Sequence, residues 1–175
     1  MARGLVRQWP EAAERLAGAF WPGPLTLVLP KLPVIPDVVT AGLATVGVRM
    51  PAHPVALELV RRAGVPIAAP SANPFTRLSP TSAEHVRQML GDRVDLVLDG
   101  GPAAVGIEST VLSLATAPPM LLRPGAVSRN QIEAVVGPIV AAGACQGGAH
   151  ASPGMHRRHY SPRTPLIVVN SRDSV

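Results

Sequence analysis

A short apolar run bounded by prolines and followed by small polar residues occupies positions 65 to 80, V-P-I-A-A-P-S-A-N-P-F-T-R-L-S-P. The run Val65–Ala69 predicts a brief buried strand, which Pro70 ends. Ser71 and Asn73 then follow in a turn at the C-terminal end of that strand, where ligands bind in open α/β sheets. The stretch therefore predicts a ligand-binding loop at a sheet edge.

The two polar side chains of this turn, Ser71 and Asn73, alternate, so an extended backbone points both to the same side. Their hydroxyl and carboxamide groups can bind a phosphate, a carboxylate or a base edge. The alternative is a proline-stiffened loop in which both residues only satisfy local hydrogen bonds. The local sequence supports both interpretations, and the polar residues at other strand ends favour the first.

Helix and strand patterns alternate along the chain, which predicts an α/β domain. Helices are expected where proline or a capping-box pattern precedes apolar residues at helical spacing. Strands are expected where short apolar runs end at proline, glycine or a polar turn. The predicted helices are 10–20, 54–63, 81–90 and 128–136, and the predicted strands are 25–29, 45–50, 65–69, 96–98, 111–114 and 121–123.

The strand predicted at 45–50 alternates, so that Val46 and Val48 share one face and Arg49 lies on the other. A guanidinium at a strand end can bind a carboxylate through two parallel hydrogen bonds. The alternative is a surface arginine on a half-exposed strand.

Polar residues at several predicted strand ends are expected to converge at one edge of the sheet: Thr45, Arg49, Ser71, Asn73, Ser109 and Arg123. Two arginines with several hydroxyls and an amide make a site for an anionic, polyfunctional ligand. Glu108 and Asp99 could add a pair of carboxylates, but nothing in the sequence places them together.

Other kinds of site fit the sequence less well. It has no G-x-S-x-G nucleophile motif and no phosphate-binding G-x-x-x-x-G-K-[ST] loop. His156 and His159 have helical ligand spacing, but the two arginines between them repel a cation, so we expect no metal site. Cys145 is the single cysteine. It excludes an internal disulfide, fits a reducing compartment and has no neighbouring base to activate it.

The composition indicates a cytoplasmic protein with no membrane partner. No run approaches the ~18 apolar residues of a membrane-spanning helix, and the first residues lack the apolar segment of a signal peptide. The net charge is +5, and all 16 basic residues except Lys31 are arginine. This charge permits binding to a polyanion such as tRNA. The arginines are scattered, however, and 3% aromatic residues provide no stacking platform for RNA.

The domain organisation predicted from these patterns has three parts. Residues 1–140 form the α/β domain, and 141–163 form a flexible basic linker with the sequence S-P-G-M-H-R-R-H-Y-S-P near its end. Residues 164–175 begin a second domain with one apolar strand, Leu166–Val169. A single strand without a partner does not make a domain, so the chain is expected to stop as this second domain begins.

Five motifs in order give the chain a resemblance to a known family: F-W-P-G-P-L-T-L-V-L, T-V-G-V-R-M-P, A-A-P-S-A-N, G-I-E-S-T-V and L-L-R-P-G. Together they resemble the threonylcarbamoyl-AMP synthase family, which has a YrdC-like domain, over roughly residues 1–137. The basic linker resembles that of the longer family members, in which it leads to a small Rossmann-like C-terminal domain.

The resemblance implies a twisted, mixed, open sheet with flanking helices, of which this chain holds part. It also implies a nucleotidyltransferase that joins L-threonine, bicarbonate and ATP, the last with Mg²⁺. The products are threonylcarbamoyl-adenylate, which is the precursor of a modified adenosine in tRNA, and pyrophosphate. Implied partners are proteins that transfer the threonylcarbamoyl group to tRNA. The net charge of +5 and the basic Arg157-Arg158 linker, and not the resemblance, suggest double-stranded RNA or tRNA itself as a further partner.

The resemblance also implies roles for residues at matching motif positions. Threonine would contact Arg49, which holds its carboxylate, together with Ala69 and Ser109. ATP would contact Thr45, Ser71, Ser79 and Arg123, with Asn73 supporting the loop and Tyr160 closing over the nucleotide. No residue is expected to act as a covalent catalyst, because positioning and charge stabilisation would carry the reaction.

Two family features upstream of F-W-P-G-P are missing here, a P-T-E-T-V-Y-G-L-type segment and a Lys-x-Arg motif. The missing lysine and arginine would help to neutralise the triphosphate, so a fragment cut at both ends and nearly inactive is expected. One alternative is a module that binds double-stranded RNA or tRNA without catalysis. Another is a relative that uses the same pocket for carbamoyl transfer, which the linker and the lack of zinc-type cysteine pairs argue against.

Overall fold

The structure is a computed structural model that describes residues 1–74 and 77–143. Five strands form one mixed sheet in the order β2-β1-β3-β4-β5. The strands are β1 Leu25–Pro30, β2 Thr45–Val48, β3 Thr110–Ser113, β4 Met120–Arg123 and β5 Val140–Ala141. The helices are α1 Glu11–Phe20, α2 Pro54–Ala63, α3 Ala83–Leu90 and α4 Arg129–Val136, and short 3-10 turns lie at Ala2–Leu5, Asp37–Thr40 and Gly91–Arg93.

The strand directions decide which residues meet at each edge of the sheet. β1 runs parallel to β3 and antiparallel to β2, while β3 runs antiparallel to β4. The first residues of β1 and β3 therefore lie at the same edge as the last residues of β2 and β4. The mixed open sheet confirms the predicted fold class. The two-residue strand β5, which pairs with β4, was not predicted.

The core lies between one face of the sheet and helices α1 and α4. Leu16 of α1 and Ile132 of α4 are fully buried, as are Leu25, Leu27 and Leu112 of the sheet. On β2, Val46 and Val48 are both buried, which confirms the prediction that they share one face of the strand. Trp21 packs on this core, and its indole Nε1 donates to the Leu25 carbonyl at 2.7 Å.

Local signals explain where the helices begin and end. Pro54 starts α2, and Gly64 ends it in the left-handed conformation with φ of 67°, which glycine adopts without a steric penalty. The predicted capping box of α4 is present between Ser128 and Gln131. The cap of α3 differs from the sequence pattern. The stretch Thr81-Ser82-Ala83-Glu84 predicts a capping box that begins at Thr81, whereas Ser82 is the residue that accepts from the His85 N–H.

Two predicted strands are absent, and the prediction was wrong at both places. Residues 65–69 and 96–98 form neither helix nor strand. Their apolar side chains are not buried: Val65 is 57% exposed and Leu96 is 75% exposed. A strand requires the hydrogen bonds of a neighbouring strand, and no described residue pairs with these two segments in the sheet. The apolar composition of a segment does not show whether a neighbouring strand is present.

None of the helices in residues 1–74 and 77–143 is long and apolar enough to cross a membrane. Several predictions concern residues 144–175, which lie outside the described part of the chain. They are the roles of Cys145, His156, His159 and Tyr160, most of the basic linker, and the strand at 166–169.

Candidate functional site

One edge of the sheet brings together three of the residues that the sequence singled out. Arg49 directly follows β2, Ser109 directly precedes β3, and Arg123 is the last residue of β4. The register places them side by side, because Val48 pairs with Leu27, Leu25 with Thr110 and Val111 with Arg123. We call Arg49, Ser79, Glu108, Ser109 and Arg123 the edge cluster.

Arg123 is held firmly against the residue that precedes β3. Its Nε and Nη2 both donate to the Ser109 carbonyl, at 3.1 and 2.9 Å, and Nη2 also reaches the Ser109 hydroxyl at 3.1 Å. The Arg123 side chain is only 12% exposed. A buried guanidinium with this many fixed bonds has one orientation, so its charge is preorganised at the sheet edge.

Glu108 links the loop at 70–80 to the arginines of the sheet edge. Its Oε1 accepts from the Ser79 hydroxyl at 2.5 Å, and its Oε2 lies 3.5 Å from Arg123 Nη2. Asp99, which the sequence offered as a second carboxylate, binds elsewhere: it accepts from the Gly101 N–H and lies 3.7 Å from Arg87. The two carboxylates therefore belong to different parts of the structure.

Arg49 carries the third charge of the edge cluster. Partial burial of its guanidinium lowers the pKa of Arg49 from its ordinary value, Glu108 raises it and Arg123 lowers it further. The charges of Glu108 and Arg123 therefore both influence the pKa of Arg49. Arg49 forms no hydrogen bond or ion pair within residues 1–74 and 77–143, and the residue keeps an exposed surface although its guanidinium is partly buried. It can therefore bind an incoming anion.

The structure adds two residues that the sequence analysis missed. The Thr26 hydroxyl lies 3.0 Å from the Ser109 hydroxyl, and Thr26 is the single polar side chain in the apolar run of β1. An ideal Cβ on Gly125 would lie 2.4 Å from the Glu108 carbonyl oxygen. Thr26 could have been identified from the sequence, because a single hydroxyl in an otherwise apolar strand indicates a specific hydrogen bond. Nothing local identifies the close approach at Gly125.

The remaining predicted site residues lie in other positions. Thr45 begins β2 opposite Pro30, about 10 Å along the strand from Val48 at ~3.3 Å per residue. The structure thus separates Thr45 from the cluster edge by the length of the strand. Ala69 and Ser71 are exposed in the loop at 65–74. They are not joined to the cluster by any side-chain hydrogen bond between described residues.

Asn73 closes the turn that follows Ser71. Its Nδ2 donates to the carbonyls of Pro74 and Arg77, at 3.1 and 2.9 Å. Its Oδ1 is buried and accepts no hydrogen bond in the described part of the chain. Lys31, in contrast, is fully engaged away from the site, since its Nζ donates to Asp37 at 2.6 Å and to Thr40 at 2.9 Å.

The edge cluster combines two guanidinium groups, one carboxylate and two hydroxyls. Such a set can bind a small molecule that carries both an anionic group and hydrogen-bond donors. No group of three or more His, Cys, Asp or Glu side chains in residues 1–74 and 77–143 could hold a metal ion. The described residues thus supply charge and hydrogen bonds to a ligand, but not a metal-binding cage.

Two family models match the chain. Residues 1–125 match the model Sua5_yciO_yrdC, described as telomere recombination. Residues 127–175 match the model Sua5_C, described as the C-terminal domain of threonylcarbamoyl-AMP synthase. The boundary between the two matches falls just before α4.

Individual proteins resemble the chain over most of its length. It is 50% identical to a threonylcarbamoyl-AMP synthase of Pyrococcus abyssi over 98% of this chain and 52% of that protein. It is 53% identical to one of Bacillus subtilis over 91% of this chain and 47% of that protein. The crystal structure of P. abyssi Sua5 complexed with L-threonine matches with a TM-score of 0.88 and 49% identity, over 92% of this chain and 48% of that one. The chain therefore spans about half the length of these relatives.

Proposed function

The chain belongs to the Sua5/YciO/YrdC family, and we therefore propose that it forms the substrate-binding part of an L-threonylcarbamoyladenylate synthase. The substrates would be L-threonine, bicarbonate and ATP. The observation that carries this proposal is the edge cluster, in which Arg49 can accept a new anion while Arg123 is locked in place. A relative with L-threonine bound adds support for the amino acid.

Two bond-forming steps are needed to make the proposed product. The amine of threonine forms a bond to the carbon of bicarbonate, and water leaves. An oxygen of the resulting carbamate then forms a bond to the α-phosphorus of ATP, and pyrophosphate leaves. Both steps join anions, so neutralising and aligning them lowers the barrier.

The described residues divide into two roles in this proposal. Arg49, with Ala69 and Ser109, would hold threonine, and the Arg49 guanidinium would bind its carboxylate through two parallel hydrogen bonds. Thr45, Ser71, Ser79 and Arg123 would contact ATP, while Asn73 would shape the loop. Tyr160, outside the described residues, would close over the nucleotide. Mg²⁺ would enter with ATP, because it usually binds through substrate phosphates and one or two carboxylates.

The wider setting follows from the chemistry of the product. Threonylcarbamoyl-adenylate is an activated acyl phosphate, so a second protein must transfer its threonylcarbamoyl group to an adenosine of tRNA. We place both steps in the cytoplasm. We also propose three parts for the chain: residues 1–140 as the catalytic domain, 141–163 as a linker and 164–175 as the start of a second domain.

The alternative is a module that binds RNA without catalysis, and the positions of the arginines give it less support. Several arginines pair with carboxylates on their own or a neighbouring helix: Arg3 with Glu14, Arg61 and Arg62 with Glu58, and Arg129 with Glu133. Their charge is partly neutralised where it stands. An RNA-binding role would require RNA affinity that falls steeply with salt.

The test of the proposed function measures threonine binding and pyrophosphate release. The protein is titrated with L-threonine by calorimetry, and pyrophosphate is assayed in the presence of ATP and bicarbonate, with and without threonine. L-serine and L-valine serve as controls for the side chain. Binding of threonine together with threonine-dependent pyrophosphate release supports the proposal. Absence of threonine binding would overturn it, and binding without release would restrict this chain to recognition.

A further inference from the structure

Ser79 and Glu108 are 29 residues apart in sequence and share a short hydrogen bond, at 2.5 Å. The other oxygen of the Glu108 carboxylate, Oε2, forms an ion pair with Arg123 Nη2 at 3.5 Å. An ionised carboxylate only accepts hydrogen bonds. The Ser79 hydroxyl must therefore donate its proton to Glu108.

This donation determines what the Ser79 hydroxyl can offer to a ligand. A serine hydroxyl has one proton and two acceptor lone pairs. With the proton directed to Glu108, only the lone pairs remain for another partner. No other hydrogen bond of the Ser79 side chain is formed within residues 1–74 and 77–143, and Ser79 is partly exposed. Its free side is therefore an acceptor.

We propose that Glu108 is a positioning residue that makes Ser79 an acceptor for a ligand N–H or O–H group, and not a donor to a phosphate. This inference rests on the proposed function and refines it. The ligand group at Ser79 would be a ribose hydroxyl, an adenine amine or the ammonium of threonine. A phosphate group of ATP offers mainly acceptor oxygens and negative charge at neutral pH, and the Glu108 charge beside Ser79 repels it.

The bonds that hold Arg123 in position are formed with Ser109. A change at Glu108 is therefore expected to affect Ser79 without moving Arg123. Its bonds to Ser109 are shorter than its 3.5 Å separation from Glu108. Removing the Glu108 carboxylate should leave the guanidinium in place and make its surroundings more positive. A phosphate probe should then bind Arg123 equally well or more tightly, while a donor probe loses the oriented Ser79 hydroxyl.

The experiment uses three probes that separate these chemistries: adenosine, L-threonine and inorganic pyrophosphate. Their affinities are measured by nuclear magnetic resonance titration for the wild type, Ser79→Ala, Glu108→Ala and the double variant. A dispersed amide spectrum checks that each variant is folded. Ser79→Thr keeps the hydroxyl and should restore binding. Asp99→Asn removes a carboxylate outside the cluster and serves as the control for lost charge.

The expected result is that each single variant weakens adenosine or threonine about tenfold and leaves pyrophosphate unchanged or tighter. The double variant should be no weaker than Ser79→Ala, because Glu108 acts through Ser79. The probe that weakens identifies the donor. The inference would be overturned if the variants bound pyrophosphate more weakly and bound adenosine and threonine as the wild type does. It would also be overturned if the loss of affinity in the double variant equalled the sum of the losses in the two single variants. If the wild type binds none of the three probes, the proposed function fails first, and this inference fails with it.

Discussion

Gly125 lies against the backbone of Ser109 so closely that an ideal Cβ at Gly125 would stand 2.6 Å from the Ser109 carbonyl carbon. The same Cβ would lie 2.5 Å from the Thr110 nitrogen. These neighbours are backbone atoms of the edge cluster and of β3, which cannot turn aside as a flexible side chain can. The glycine therefore allows the turn after β4 to pack against the backbone that leads into β3.

Gly125→Ala is expected to destabilise the protein and disturb the edge cluster. Forcing extra atoms into a packed region typically costs about 1–3 kcal/mol of folding free energy. The cost for Gly125→Ala is expected to be about 3 kcal/mol or more, because the neighbouring backbone atoms cannot move aside easily. Urea unfolding followed by circular dichroism measures the loss. Gly18→Ala is the matched control, since its Cβ would meet nothing within 4 Å. It lies within α1 and should gain about 0.5–1 kcal/mol. Equal stability of Gly125→Ala and wild type would contradict the packing argument.

Thr110→Val should destabilise the protein although the two side chains have nearly the same shape. The buried Thr110 hydroxyl donates to the Val127 carbonyl at 2.6 Å and accepts from the Val127 N–H at 3.0 Å. Valine would leave both backbone groups buried without these partners, at about 1–3 kcal/mol for each. Thr116→Val, at an exposed threonine with one bond to the Pro118 carbonyl, should change the free energy of unfolding by less than about 0.5 kcal/mol. A similar small change at both positions would show that Thr110 is not a structural link.

Arg49→Lys tests the proposed recognition of threonine. Lysine keeps the charge but cannot form two parallel hydrogen bonds with a carboxylate. Threonine affinity should fall at least tenfold, about 1.4 kcal/mol, whereas ATP affinity should change little. Calorimetric titration with each ligand measures both. Arg62→Lys, at an exposed arginine paired with Glu58, is the control. Loss of ATP binding with threonine binding retained would mean that Arg49 contacts the nucleotide.

The stability of the α4 region should depend on pH through Glu133. Hydrogen bonds from Arg129 and from the Ile139 N–H lower the pKa of Glu133 below its ordinary value of 4.5. A carboxyl group with a depressed pKa in the folded state stabilises the fold above its unfolded pKa. This stabilisation is lost as the pH falls from about 4.5 through the lower folded value. The stability difference between wild type and Glu133→Gln should therefore be largest near pH 7 and shrink below pH ~4.5.

Urea unfolding at several pH values between 7 and 3 measures this difference for both proteins. Arg129→Gln removes the main cause of the lowered pKa, so Glu133→Gln made in that background should show a smaller pH dependence. A difference between wild type and Glu133→Gln that stays constant over the whole range would contradict the proposed linkage.

The sequence alone determined the elements that depend on local interactions. The ends of α2 follow from Pro54 and Gly64, and the buried face of β2 follows from the alternation of Val46 and Val48. The five motifs in their order were also sufficient to identify the family, because each motif is a short continuous stretch that can be read directly from the sequence. Each of these signals lies within a few residues of the feature that it predicts.

Only the tertiary structure decided which residues meet across longer separations. The bond between Ser79 and Glu108 and the close approach of Gly125 to Ser109 depend on how strands and loops pack, and no local pattern records them. The segments at 65–69 and 96–98 show the converse. Their apolar residues favour strands, yet a strand forms only where a neighbour supplies hydrogen bonds and covers its side chains. Local sequence preference makes a strand possible, but the strand forms only where tertiary packing places another strand beside it.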